Sequence, residues 1–207
     1  MMNSKVPIIG IRRHCLFTDG EGVSTLVAFH GCPLCCRYCL NPQSLEHEEN
    51  SQYYDCAMLY EHVKEDELYF LATRGGITFG GGEPCLQSKF IAEFRKFCGE
   101  KWLLTVETSL NVPHEHLERL LPVIDRYIVD IKDMNPGIYQ RYTSRNNEAV
   151  LHNLCLLADN GKAKDVIVRI PLIPGYNTDE DRKSSAEELK AMGFTLFDFF
   201  TYKTFNS

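Results

Sequence analysis

Four cysteines fall within eight residues, in Cys32-Pro33-Leu34-Cys35-Cys36-Arg37-Tyr38-Cys39. Thiolates are soft ligands that suit iron–sulfur clusters and zinc. Two parsings compete: CxxxCxxC, using Cys32, Cys36 and Cys39, and two abutting CxxC pairs. The second points to zinc, yet zinc sites usually join CxxC pairs from separated parts of a chain, and thiolates this crowded wrap one tetrahedral ion poorly. A three-cysteine set leaves one iron of a cubane without a protein ligand, the open position that chemistry needs and electron storage does not. The spacing favours the cluster and leaves zinc as the alternative. Cysteines serving only as small buried hydrophobes are hard to reconcile with so dense a loop.

Weaker signals follow along the chain. Gly80-Gly81-Gly82-Glu83-Pro84 allows a backbone to approach a ligand and expose its amide and carbonyl groups, although alone it reads as a tight turn. Glu107-Thr108 and Asp130-Ile131-Lys132 end β-branched or aromatic runs. In a strand Asp130 and Lys132 point to one side, so the pair can grip a zwitterion. The plainer reading is a surface ion pair worth ~0–1 kcal/mol. Arg169 interrupts an apolar run before Ile173-Pro174-Gly175-Tyr176-Asn177, and a strand arginine needs a carboxylate or ligand to offset its burial.

The elements that position these residues alternate short strand patterns with longer helical ones, the sign of repeated βα units and a parallel sheet. Strands are expected at residues 24–30, 76–79, 102–107, 127–131, 165–172 and 195–201. Helices are expected at 57–65, 88–98, 113–121, 149–160 and 179–192, with Thr178 capping the last and Gly161 and Gly193 as stops. Residues 41–54 read as a solvated loop. Six such units predict an α/β fold, a partial (β/α)6 barrel open on one side, formed by residues 1–207 as a single domain. Barrel enzymes work at the C-terminal ends of their strands, and there the cysteines, glycines, Glu107, Asp130, Lys132 and Arg169 all fall.

With 44% hydrophobic and 24% charged residues in 207, the composition is that of a globular protein with a substantial core. A net charge of −6 argues against nucleic acid as a partner. No apolar run approaches the ~20 residues that cross a bilayer, and the N-terminus lacks a signal-peptide pattern, so a cytoplasmic protein is expected. The odd total of nine cysteines suits metal binding in a reducing compartment better than disulfides.

Taken together, the residues resemble the radical S-adenosylmethionine superfamily, and within it the activating enzymes of glycyl radical enzymes, such as pyruvate formate-lyase activase. The resemblance runs through Asp19-Gly20-Glu21-Gly22, the CxxxCxxC with Tyr38, residues 76–84, Asp130-Ile131-Lys132, Thr143, Asn146, Asn153-Leu154, Arg169 and residues 173–177. It implies a single [4Fe–4S] cluster held by Cys32, Cys36 and Cys39, with Cys35 a bystander, and S-adenosylmethionine chelating the free iron. One electron then cleaves the sulfonium, and the 5′-deoxyadenosyl radical takes a hydrogen from a glycine Cα of a partner protein. The resemblance implies catalytic roles for the three cysteines, Lys132 and Arg169. It has Gly82 hold the amino group of S-adenosylmethionine, with Asp130, Lys132 and Arg169 near the methionine end and Tyr38 against the adenine, and counts Gly81, Glu83, Ile131 and Lys203 among the cofactor-binding residues. Glu107, Thr108 and Asp130 fall where the best-known activase holds a monovalent cation beside the cofactor, with the longer Glu107 in place of an aspartate. Lys203 stands where pyruvate formate-lyase activase has a histidine.

The implied partners are a glycyl radical enzyme and a low-potential flavodoxin or ferredoxin, with no membrane and a monomeric chain. Asp19-Gly20-Glu21-Gly22 would hold the partner's glycine loop in an extended pose. Two alternatives remain: a radical enzyme acting on a small molecule or peptide, like the 7-carboxy-7-deazaguanine synthases, and a non-catalytic metal-binding protein.

Overall fold

The computed structural model describes residues 5–16 and 22–202. Six parallel strands form the frame: β2 (Val23–Phe29), β4 (Gly76–Gly81), β5 (Leu103–Thr108), β6 (Arg126–Asp130), β7 (Val166–Leu172) and β8 (Leu196–Thr201). They match the expected six with ends displaced by one or two residues. Two antiparallel strands extend the sheet: β1 (Val6–Leu16) pairs with β2, and β3 (Gln52–Tyr54) pairs with the start of β1. Among the described residues the order is β3-β1-β2-β4-β5-β6-β7-β8, with β3 and β8 at the two edges, so the sheet is not closed into a barrel. The fold is the expected α/β partial barrel with an antiparallel flap added to its first edge.

The register explains where polar groups project. Along β5, β6 and β7, Val106, Val129 and Val168 are fully buried toward the helices. Glu107, Asp130 and Arg169 alternate with them and face the concave side.

Seven helices are described: α1 (Cys56–Val63), α2 (Glu67–Thr73), α3 (Ser88–Cys98), α4 (His114–Leu120), α5 (Pro136–Thr143), α6 (Glu148–Asp159) and α7 (Asp179–Ala191). The expected cap on α7 is present as a capping box between Thr178 and Asp181. Two helices add to the sequence reading. In α2 the only buried residue is Phe70, so it carries little periodic signal. The eight-residue α5 is started by the Asn135 side chain, which accepts from the amides of Gly137 and Ile138, and by Pro136 at its first position. Residues 41–54, expected as a loop, contain two single turns at Pro42–Leu45 and Glu48–Asn50 besides β3.

Candidate active site

The cysteine loop leaves β2 and is tied to three parts of the chain. Its first residue, Gly31, donates its amide to Ser44 O at 2.9 Å. The amides of Cys35 and Arg37 donate to Thr143 O and Tyr142 O at 3.0 and 3.2 Å, and Arg145 Nε donates to Pro33 O at 3.0 Å. The C-terminal turn of α5 thus supplies carbonyls to amides on either side of Cys36. Tyr38 Oη donates to Pro174 O at 3.3 Å, which anchors the far end of the loop.

The glycine turn after β4 packs directly on this loop. Gly82 donates to Phe29 O at 2.9 Å and Glu83 to Gly31 O at 2.7 Å. A Cβ on Gly82 would sit 2.2 Å from Gly31 O, so the close approach of two backbones excludes any side chain there. Gly81, at φ +92°, is also confined, since its Cβ would lie 2.8 Å from Ala28 Cα.

Together these loops frame an open cleft at the C-terminal rim of the sheet. Cys32, Cys36, Tyr38 and Cys39 line one side, and Gly81, Gly82, Glu107, Thr108, Asp130 and Lys132 line the other. Burial pushes the Cys32 thiol up to about 12, helped by Glu83. Burial likewise pushes Cys36 up to about 11, partly offset by the Lys132 ammonium. Both thiols hold their protons more tightly than a free cysteine, so a metal bound there would displace them.

Lys132 is 7% exposed, and its ammonium pairs with Asp130 Oδ2 and donates to Tyr202 Oη at 3.0 Å. Burial opposes its charge, but Asp130 and the neighbouring groups prevail and hold it well above the usual lysine range. The pair is therefore an interior one rather than the surface bridge of the plainer sequence reading. Arg169 Nη1 pairs with Glu107 Oε1 at 2.5 Å, and its Nε approaches Asp198 Oδ2 at 3.5 Å.

Of the expected site residues, Glu83, Ile131 and Arg169 stand outside the lining, Arg169 reaching it through its pairing with Glu107. Glu83 is fully buried and accepts from Thr108 Oγ1 at 2.6 Å, Ser109 N at 2.9 Å, Ser109 Oγ at 2.7 Å and Cys85 N at 3.1 Å. Ile131 is 1% exposed and donates its amide to Arg169 O at 3.0 Å. Lys203 and Asp19-Gly20-Glu21 lie outside the described residues. The sequence reading missed Ser109 and Tyr202, both of which line the cleft. Each is a direct neighbour of a residue it did single out, Thr108 and Lys203.

The residues suit a thiolate-bound cluster with a polar ligand beside it. Three thiols share the cleft, and Asp130 Oδ1 is buried with no hydrogen-bond partner among the described residues, leaving an acceptor for a ligand's donor. Among the described residues no three His, Cys, Asp or Glu side chains converge on one ion position. A cubane does not need such convergence, because each thiolate binds a different iron.

An open parallel barrel with thiols, a glycine turn and paired charges at its C-terminal rim defines an enzyme that works through a bound metal cofactor and a small polar ligand. The family model of the radical SAM superfamily matches residues 26–189. The chain is 29% identical to the (2S)-3-sulfopropanediol dehydratase activating enzyme of Klebsiella oxytoca, over 86% of this chain and 75% of that one. It is also 29% identical to the pyruvate formate-lyase 2-activating enzyme of Escherichia coli K12, over 86% of this chain and 70% of that one. The crystal structure of Streptococcus suis SuiB bound to S-adenosylmethionine superposes with a TM-score of 0.66 at 14% identity, over 88% of this chain and 43% of SuiB, which shows likeness of fold. The chain belongs to the radical SAM superfamily. Its cofactors are accordingly a [4Fe–4S] cluster and S-adenosylmethionine.

Proposed function

We propose that this protein is an activating enzyme that installs a glycyl radical on a partner enzyme. The observation that carries this reading is the extent of the likeness to activating enzymes: it spans 86% of this chain and most of each relative. The open side of the sheet, between β3 and β8, supports it further by leaving a way in for a glycine loop of another protein.

In this reading Cys32, Cys36 and Cys39 hold the cluster and Cys35 does not. When bound, the cluster and S-adenosylmethionine supply a radical that abstracts a hydrogen atom. The chain's residues orient and charge the cavity. Lys132, fixed between Asp130 and Tyr202, presents an ammonium with little freedom to swing, and Glu107 steadies the Arg169 guanidinium, so both cations are preorganised for a carboxylate. Gly82 offers backbone where a side chain would collide with Gly31. Tyr38, anchored at Pro174, forms a wall for an adenine. Glu83 braces Thr108 and Ser109 from behind.

The further parts of the proposal are a low-potential flavodoxin or ferredoxin as electron donor, a monomeric single-domain chain and a cytoplasmic location. No helix among the described residues is long and apolar enough to cross a membrane. The test is anaerobic: reduced, iron-loaded protein should convert S-adenosylmethionine to methionine and 5′-deoxyadenosine, and no turnover in protein with full iron and sulfide content would refute the enzymatic reading.

A further inference from the structure

The cysteine loop has two sides. Cys32, Cys36 and Cys39 line the cleft, whereas Cys35 is exposed and absent from its lining. Arg37, Arg141 and Arg145 are likewise exposed and absent from that lining, so their charges face solvent outside the cleft. Arg37 is part of the loop itself. Arg145 Nε donates to Pro33 O at 3.0 Å, and Arg141 Nη2 donates to Tyr176 O at 3.1 Å, the Tyr176 ring standing edge-on to that of Tyr38 with centroids 6.0 Å apart.

No carboxylate neutralises these charges. Arg13, Arg95 and Arg182 are each paired with an aspartate, but none of the three arginines at the loop has an ion-pair partner among the described residues. The cause lies in the local sequence: residues 32–45, 134–147 and 170–178, which carry the loop and the two segments that hydrogen-bond to it, contain three arginines and no Asp or Glu. The acids that follow in sequence, Glu46 and Glu148, pair with none of the three. The whole chain has 28 acidic and 22 basic residues, so this face reverses the sign of the molecule.

The cluster must receive one electron from outside before S-adenosylmethionine is cleaved, and tunnelling slows steeply with distance. A donor resting on the outer side of the loop has only the loop between its own redox centre and the cysteines that hold the cluster. A donor of negative charge is repelled by the chain as a whole and attracted by this face, which steers and orients the encounter. Redox encounters bury little area, so charge of this kind carries much of their recognition.

We propose that the outer side of the cysteine loop, carrying Arg37, Arg141 and Arg145, is the docking surface for an acidic one-electron carrier protein. One electron passes from the carrier's reduced cofactor to the oxidised cluster, and no bond is made or broken in that step. The inference rests on the reading that a carrier protein reduces this enzyme.

The test compares two reductants of the cluster-loaded protein: a photoreduced flavodoxin with an acidic surface, and photoreduced deazaflavin, a small molecule that needs no docking surface. Each result is the ratio of flavodoxin-driven to deazaflavin-driven cleavage of S-adenosylmethionine, so a change in cluster content cancels. The variant is Arg37→Glu, because the Arg37 side chain makes no hydrogen bond or ion pair among the described residues. Lys101→Glu is the control, an equal charge change on an exposed residue just before β5, at the other end of the strands. Arg37→Glu should lower the ratio about tenfold at low salt, the parent's ratio should fall as salt is raised, and Lys101→Glu should behave as the parent. An unchanged ratio in Arg37→Glu, an equal fall in Lys101→Glu, or a parent that responds to deazaflavin and not to flavodoxin overturns the proposal. A parent that cleaves with neither reductant refutes the enzymatic reading, and the docking surface with it.

Discussion

The Glu83 carboxylate accepts two hydrogen bonds from Ser109, one from its amide at 2.9 Å and one from its hydroxyl at 2.7 Å. This joins the turn after β4 to the end of β5 from behind the cleft, so Glu83 acts as a brace. Glu83→Ala strands donors from Thr108, Ser109 and Cys85, at a cost of about 2–4 kcal/mol. Denaturant unfolding of the cluster-free protein should show that loss, together with weakened S-adenosylmethionine binding in the loaded protein. Full stability with binding alone lost would make Glu83 a direct ligand contact instead.

For Asp130 the balance is reversed in kind. Asp130→Asn removes the main partner of a buried ammonium, a loss of about 2 kcal/mol because Tyr202 remains and Asp130 is partly exposed. A lysine whose folded pKa is raised lends stability that is complete below the unfolded value of ~10.4 and is lost as pH rises through the folded one. The parent should therefore keep this contribution from neutral pH to about 10. In the variant, burial is less opposed and Lys132 gives up its proton at lower pH. Binding of S-adenosylmethionine, followed from pH 7 upward, should decline earlier in Asp130→Asn than in the parent; coincident profiles would remove Lys132 from the binding charge.

A second buried carboxylate ties the sheet to α2. Asp66 is fully buried and accepts from Arg13 Nε and Thr25 Oγ1 at 2.9 and 2.8 Å. Burial alone would raise its pKa, but the hydrogen bonds from Arg13 and Thr25 prevail and lower it. A depressed carboxylate gives stability that is present above its unfolded value of ~3.9 and lost as pH falls through the folded one. Asp66→Asn should thus cost about 2–3 kcal/mol at pH 7. The gap from the parent, measured by urea unfolding, should narrow below about pH 4, and a gap independent of pH would contradict the charged role.

The sequence revealed the parallel strands well because buried strands are written as unbroken β-branched runs that stop at glycine, proline or charge. The elements it hid have specific causes. In β1, Pro7 and Gly10 break the pattern; β3 pairs only with Val6–Ile8, and the register to β2 shifts between Ile8 and Gly10, where a glycine is tolerated. The signature of α5 was present in Asn135-Pro136, yet eight residues give too few turns for a periodic stripe. At the site, the thiols, glycines, Asp130, Lys132 and Arg169 were legible because their types are unusual where they occur. Two features depend on tertiary contact and left no local mark: the withdrawal of Glu83 behind the cleft and the entry of Tyr202 beside Lys132.

Single-cysteine replacements separate the two parsings of the loop. Cys36→Ala should lose the iron, sulfide and visible absorbance of the reconstituted cluster, whereas Cys35→Ala, whose side chain is exposed and absent from the cleft lining, should retain most of each. Equal losses would favour a four-thiolate site.

The central claim, that a glycine on another protein is the hydrogen donor, is met most directly by electron paramagnetic resonance. The reduced, cluster-loaded protein is incubated without oxygen with S-adenosylmethionine and a candidate glycyl radical enzyme. The account predicts a persistent carbon-centred doublet on the partner, lost when the partner's loop glycine is replaced by alanine. Cleavage of S-adenosylmethionine with no radical on any such partner would contradict it and indicate a small-molecule or peptide substrate.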